Sequence, residues 1–113
     1  MDLNIKKVKI AVTIPIGSED EIRNAICKIG AGVIGNYTYC STLTKCLGTF
    51  KPNNEANPYI GEKEKLEFVE ERKLEVVCDV DKVKSIIKKI KEIHPYEEAA
   101  IDIIPLIDEN YFE

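Results

Sequence analysis

The apolar residues of this chain change their spacing along its length, and this change constrains the fold more than any other feature. In "KVKIAVTIP" they alternate with other residues, which predicts a strand that ends at Pro15. In "EDEIRNAICKI" they recur three and four residues apart, which predicts an amphipathic helix over about residues 19–29. Ser18 and Glu21 have the spacing of a capping box at the start of this helix.

The same succession of spacings returns in the second half of the chain. "KLEFVEERKLEVVCDV" keeps its apolar residues in one phase although Glu70 and Arg72 stand in the middle, so we predict one long strand with a bulge there, or two collinear strands. "DVDKVKSIIKKIKEIH" predicts a second amphipathic helix with Asp81 as its N-cap and Pro95 as its stop. "AAIDIIPLI", residues 99–107, predicts a final strand.

Between the halves lie two glycine-containing stretches. "GAGVIG", residues 30–35, matches the G-x-G-x-x-G dinucleotide fingerprint, but its first glycine follows a helix and not a strand. The next residues, "NYTYCSTLT", are rich in Tyr and Thr and favour a strand, so we interpret the glycines as a turn and not as a nucleotide site. "GTFKPNNEANPYIGEKEK", residues 48–65, predicts a long loop.

The predicted order is therefore β-α-β-β-α-β, the ferredoxin-like split βαβ arrangement. It is an α+β fold with a four-stranded antiparallel sheet and two helices on one face, here as a single domain over residues 1–113. The other face keeps some apolar side chains, which predicts a subunit interface there.

Composition narrows the classes of partner. The net charge of −4 gives no electrostatic reason to expect nucleic acid or an anionic membrane, and no apolar run reaches the roughly 18 residues of a membrane span. The N-terminus has no apolar targeting segment, so we expect a cytoplasmic protein. The four cysteines are therefore expected to be reduced thiols, with Cys27 and Cys78 as small core residues.

The segment "HPYEEAA" concentrates the groups that could carry chemistry. It contains the only histidine, His94, followed by Tyr96, Glu97 and Glu98. A histidine beside carboxylates can ligate a divalent metal or act as an acid–base pair. The alternative, which spacing alone favours, is a histidine stabilised by the helix end, a packed tyrosine and solvated glutamates.

Cys40 is a second candidate, because it lies among alternating polar and aromatic residues in "NYTYCSTLTKC". A cysteine nucleophile needs a base nearby, and His94 is the only histidine that could serve. Spacing does not say whether the fold brings them together, so catalysis by Cys40 is the weaker alternative.

Three motifs in this order resemble one known family: "GAGVIGNYTYCS" (30–41), "GTFKPNNEANPYIGE" (48–62) and "HPYEEAAIDIIPL" (94–106). They are similar to the PII/CutA-like (YqfO-type) domain that is inserted in many bacterial Nif-three-like dinuclear-metal proteins, and we expect the domain here as a stand-alone chain. The H-P-Y-E element also resembles that of CutA, the divalent-cation tolerance protein. The sequence differs from the family's pattern at Val33, Thr42 and Cys46.

The resemblance implies a ferredoxin-like fold and a homo-oligomer, with a trimer favoured because CutA and PII proteins are trimers. The ligands of the family's dinuclear centre lie in regions that this chain lacks. We therefore hypothesise a non-catalytic oligomeric module that binds a small ligand through Cys40 and Tyr96, or a divalent metal through His94 and Glu97, in a regulatory or cation-homeostasis role. The alternatives are a metal-assisted hydrolase acting on a phosphate or nucleotide, and a structural module that caps a Nif-three-like partner.

Overall fold

The predicted order of elements is confirmed in the structure, a computed structural model that describes residues 3–112; residues 1, 2 and 113 of the predicted domain lie outside the described part. The strands and helices are β1 (Lys7–Pro15), α1 (Glu19–Lys28), β2 (Thr42–Phe50), β3 (Glu67–Asp79), α2 (Val83–Ile93) and β4 (Ile101–Leu106). Short 3₁₀ turns occupy Val80–Lys82 and Glu109–Phe112.

The four strands form one sheet in the order β2-β3-β1-β4, and every neighbouring pair is antiparallel. The two central strands are therefore β1 and β3, and Lys7 at the start of β1 lies opposite Leu106 at the end of β4. This is the ferredoxin-like α+β fold that the sequence predicts.

One face of the sheet carries the core. The alternating apolar residues of β1 meet those of β3 across the strands, with Ile10 opposite Val76 and Val12 opposite Leu74. Both helices cover these residues with buried isoleucines: Ile22, Ile26, Ile86 and Ile90. The apolar residues that alternate along the strands thus pack against those that recur every three to four residues on the helices, which explains why the sequence pattern predicts the packing.

The cysteines behave as expected of reduced thiols. All four are free, and Cys27 and Cys78 are buried in the core as predicted. Burial raises the pKa of both of these thiols above its ordinary value, because the thiolate would lose its hydration. They are packing residues and poor nucleophiles.

Three local predictions were wrong. No strand covers residues 36–41: β2 begins at Thr42, and Tyr39 has a positive φ of 58° that a strand does not permit. The side chain of Ser18 makes no capping hydrogen bond, and the acceptor at this turn is instead the Glu19 carboxylate, which binds the Gly17 N–H. Asp81 lies inside the 3₁₀ turn and does not cap α2.

The long strand has neither a bulge nor a break. The β3 register runs without a slip against both neighbours, from Asp79 opposite Lys7 to Glu67 opposite Phe50. Because β1 ends opposite Glu71, the rest of β3 pairs with β2 alone and the two strands project as an arm.

The face of the sheet away from the helices, called here the open face, is more polar than predicted. Ala11 is almost fully buried and Ile104 is half-exposed, but ion pairs join Lys9 to Glu75 at 3.6 Å and Lys7 to Asp79 at 3.8 Å. Among residues 3–112, neither helix has the length and apolar character needed to cross a membrane.

Candidate functional site

The loop between β2 and β3, residues 51–66, is a closed structure and not a loose excursion. The N–H of Glu64 donates to the carbonyl oxygen of Pro52 at 2.6 Å, which joins the two ends of the loop. Inside it, the Asn53 side chain accepts a hydrogen bond from the Glu55 N–H at 3.0 Å, as asparagine does in tight turns. The loop therefore presents a defined wall.

This wall and the open face enclose a cavity of about 410 Å³. Its lining comes from three parts of the chain: strand residues such as Thr13 and Glu71, the long loop, and the corner after α2. The volume is within the roughly 300–1,000 Å³ of small-molecule sites. Two of the motifs noted in the sequence, which lie more than 30 residues apart, thus meet at one cavity.

His94 holds the corner in place. Pro95 ends α2 at Ile93, and the His94 ring is turned inward with 7% of the residue exposed. Its Nε2 donates to the carbonyl oxygen of Thr13 at 2.8 Å, and its Nδ1 accepts from the Tyr96 N–H at 3.1 Å. Because a carbonyl only accepts and an amide N–H only donates, these partners fix the neutral Nε2–H tautomer.

Tyr96 connects this corner to the sheet. Its hydroxyl donates to Oε2 of Glu71 at 2.6 Å, a short, charge-assisted hydrogen bond. The pKa of Tyr96 is raised well above its ordinary range, first by burial and then by the Glu71 carboxylate. The tyrosine is therefore a permanent donor to this carboxylate.

Glu71 is the least exposed charged residue in the lining of the cavity. It is 6% exposed, and it lies over Gly48 on the neighbouring strand, where an added Cβ would fall 1.8 Å from its Oε1. Cys46 is its direct cross-strand partner. Gly48 is thus required by the position of a side chain, since a larger residue would displace the carboxylate.

The remaining polar groups lie between the corner and the loop. Oε1 of Glu97 accepts a hydrogen bond from the Asn57 N–H at 2.9 Å, and the rings of Tyr59 and Tyr96 lie 6.1 Å apart between centroids. Glu98 also lines the cavity. These contacts attach the loop to the H-P-Y-E corner.

The structure brings His94, Tyr96 and Glu97 together in this region but does not bring Cys40 to them. The Cys40 N–H donates to the carbonyl oxygen of Gly32, and the Gly32 N–H donates to the carbonyl oxygen of Val77 on β3. The Tyr96 hydroxyl instead donates to the carboxylate of Glu71, also on β3. Val77 and Glu71 are six residues apart on β3, which is about 20 Å along a strand. Within one chain, Cys40 and Tyr96 therefore lie at opposite ends of the sheet.

A divalent metal at His94 and Glu97 stays a prediction. Both ring nitrogens of His94 already have partners in the chain, so a metal would have to replace one of them. Within residues 3–112, no group of three or more His, Cys, Asp or Glu side chains is arranged to hold a metal ion.

Sequence reasoning missed Glu71 as a site residue. It stands among charged neighbours in "VEERK", which is typical of a solvated strand. The available signal was its phase: Glu70 and Arg72 share the phase of the core residues, so Glu71 had to lie on the open face.

Comparisons with known proteins agree with this architecture. The chain is 43% identical over 102 residues to a GTP cyclohydrolase 1 type 2 homolog of Halalkalibacterium halodurans, covering 90% of this chain and 27% of that protein. It is 42% identical over 98 residues to the homolog of Bacillus subtilis, covering 87% of this chain and 26% of that protein. It thus spans about a quarter of the length of these relatives. No family model matches the chain.

Solved structures give the same result. A Bacillus cereus protein related to NIF3 superposes with a TM-score of 0.79 at 35% identity, over 92% of this chain and 26% of that one. CutA from Synechococcus elongatus superposes with a TM-score of 0.70 at 11% identity, over 94% and 81% of the two chains. CutA from Archaeoglobus fulgidus gives 0.67 at 16% identity, over 93% and 90%. The chain therefore has a CutA-like fold and is similar in sequence to one part of NIF3-related proteins.

Proposed function

We propose that this chain, as one domain over residues 1–113, is a non-catalytic module that binds a small molecule in the cavity between the open face and the loop 51–66. One observation carries the proposal: buried Glu71 and half-buried Tyr96 form a hydrogen-bonded pair in the lining of a cavity of about 410 Å³, and the loop that walls this cavity is held by its own hydrogen bonds. Tyr96 and Glu97 are ligand-facing residues in this proposal, and His94 positions them.

The arrangement of candidate nucleophiles supports a binding role. Cys40 lies at the far end of the sheet, and both nitrogens of His94 are engaged with the backbone. A nucleophile and a base within hydrogen-bond reach of each other are the usual requirement for covalent catalysis. In this chain His94 and Cys40 do not form such a pair.

We further propose a cytoplasmic homo-oligomer, with a trimer favoured by the resemblance to CutA. The projecting β2–β3 arm and its surroundings support an assembly, because they expose large apolar side chains: Leu47 and Phe68 on the arm, Leu66 just before β3, and Leu43 on the edge strand β2. Native mass spectrometry of the purified protein gives the number of subunits and detects any ligand that remains bound.

A nuclear magnetic resonance screen with neutral, cationic and anionic fragments tests the binding role. Fragments should shift the amide resonances of Tyr59, Tyr96 and Glu97. Ala100→Phe, which fills the cavity from its lining, should abolish these shifts, while Thr38→Phe in an exposed turn should leave them unchanged. If no fragment of any charge moves these resonances, the proposed function is wrong.

The similarity to NIF3-related proteins favours a second candidate, an assembly module for a Nif-three-like partner. The chain matches about a quarter of such a protein, at 35% identity to the Bacillus cereus structure. A stable complex with a Nif-three-like protein that lacks this region would support it. A mixture that shows only the separate proteins in native mass spectrometry would contradict it.

A further inference from the structure

Glu71 forms no ion pair with any of the described residues. Oε2 accepts from the Tyr96 hydroxyl, but within residues 3–112 no hydrogen-bond donor reaches Oε1 and no Lys, Arg or His forms an ion pair with this carboxylate. A buried carboxylate is costly unless hydrogen bonds and an opposite charge satisfy it. Glu71 is only 6% exposed and lines the cavity, and its Oε1, which is not fully enclosed, accepts no hydrogen bond from the described residues.

The other charges of the cavity have the same sign. Glu97 and Glu98 also line it, and Lys51 is the one cationic residue of the lining, on an exposed position. Three carboxylates against one ammonium group leave a net charge of −2. Such a cavity attracts a cation and repels a phosphate or carboxylate.

The uncharged part of the wall selects the kind of cation. Aromatic and proline side chains line the cavity: Phe50, Pro52, Pro58, Tyr59 and Tyr96. A hydrated metal ion gains little from such a wall, whereas the carbon skeleton of an organic molecule gains burial there, and aromatic faces attract ammonium groups. The free Oε1 of Glu71 further requires a hydrogen on the nitrogen.

We propose that the cavity binds a small protonated primary amine whose ammonium group donates to Oε1 of Glu71 and whose carbon body packs against Tyr59 and Tyr96. This inference rests on the proposed function and adds the chemical class of the ligand. Glu97 and Glu98 add negative potential around the cavity.

Butylamine is the probe, titrated against ¹⁵N-labelled protein to concentrations of about 50 mM, since a ligand of so few atoms binds on the order of millimolar. We expect saturable shifts of the lining amides. We expect binding at least about tenfold weaker for three analogues. 1-Butanol can donate an O–H but has no positive charge, butyrate is an anion without a donor, and tetramethylammonium has the charge but no N–H to donate.

Glu71→Gln is the decisive variant, since glutamine keeps the shape and can still accept from Tyr96 but removes the charge. It should weaken the binding of butylamine about tenfold or more. Glu70→Gln changes an exposed neighbour on the helix side of the sheet and should leave this binding unchanged. Equal binding of butanol or butyrate, or undiminished butylamine binding in Glu71→Gln, would overturn the amine proposal while leaving the cavity as a ligand site. Absence of butylamine binding in the wild type would also overturn it. The separate screen with fragments of every charge then decides the proposed function.

Discussion

The two ends of the sheet are built on different principles. At one end, the glycine-rich turn packs backbone on backbone: the Gly32 N–H donates to Val77 at 2.8 Å, and a Cβ on Gly32 would lie 2.5 Å from the carbonyl oxygen of Cys40. At the other end, Gly48 makes room for a side chain, the Glu71 carboxylate. Glycine is needed at both ends, but for different reasons.

The difference teaches how to interpret such motifs. Where a glycine accommodates another stretch of backbone, the motif closes the fold, and its polar groups are consumed by internal hydrogen bonds. Where a glycine accommodates a buried carboxylate beside a cavity, the same residue type marks a place where a polar group is available to a ligand. Among the described residues, the cavity end contains a buried carboxylate, that of Glu71, which forms no ion pair.

The largest effect is expected from Gly32→Ala at the turn. The residue has φ +73°, and its new Cβ would meet rigid backbone, so the free energy of unfolding should fall by about 3 kcal/mol. Urea denaturation followed by circular dichroism measures this. Gly35→Ala is the matched control, because φ is +56° there but no atom lies within 4 Å; its cost should be about 1 kcal/mol. Equal losses in both variants would remove the steric argument.

His94→Ala should have the next largest effect. It leaves the Thr13 carbonyl and the Tyr96 N–H without a partner, so the free energy of unfolding should fall by about 2 kcal/mol. Chelation of metal with EDTA should lower the free energy of unfolding of the wild type by much less than the substitution does. If EDTA destabilises the wild type as strongly as His94→Ala, the histidine stabilises the protein through a metal, and its role at the cavity end must be revised.

Gly48→Ala tests the second kind of glycine. The Cβ would displace the flexible end of Glu71, at a cost of about 1.5 kcal/mol. In a Glu71→Ala background the same change should cost little, which gives a coupling energy of about 1 kcal/mol in a double-mutant cycle. Additive losses would mean that the position rejects alanine for another reason.

Tyr96→Phe should have the smallest effect, about 1 kcal/mol at neutral pH, because one hydrogen bond to Glu71 is lost. The folded protein raises the pKa of Tyr96 above the ordinary value of 10.0, so the stabilisation from this hydroxyl is complete below pH 10 and is lost as the pH rises further. The difference between wild type and variant should therefore narrow in alkaline denaturation series. A difference that grows above pH 10 would contradict the raised pKa.

How far the sequence predicts this molecule depends on the range of the interactions. Four of the main elements, β1, α1, β3 and α2, follow from periodicity, because one strand or helix face decides each of them. The strand predicted in "NYTYCSTLT", residues 36–44, begins only at Thr42 because Tyr39 takes a left-handed conformation in a turn that packs against Gly32, a contact between segments. Glu71 was hidden for the same reason: its burial depends on the loop 51–66 and on Gly48, which lie elsewhere in the sequence.

The pairing of β1 with β4 has a consequence for how this fold is used. Lys7 and Leu106 lie opposite each other. The chain therefore enters the sheet at the start of β1 and leaves it at the end of the adjacent strand β4, about 5 Å away. A host protein would need only a surface loop with closely spaced ends to accept this unit without distorting its own structure. In the relatives, the part that matches this chain is about a quarter of the whole protein.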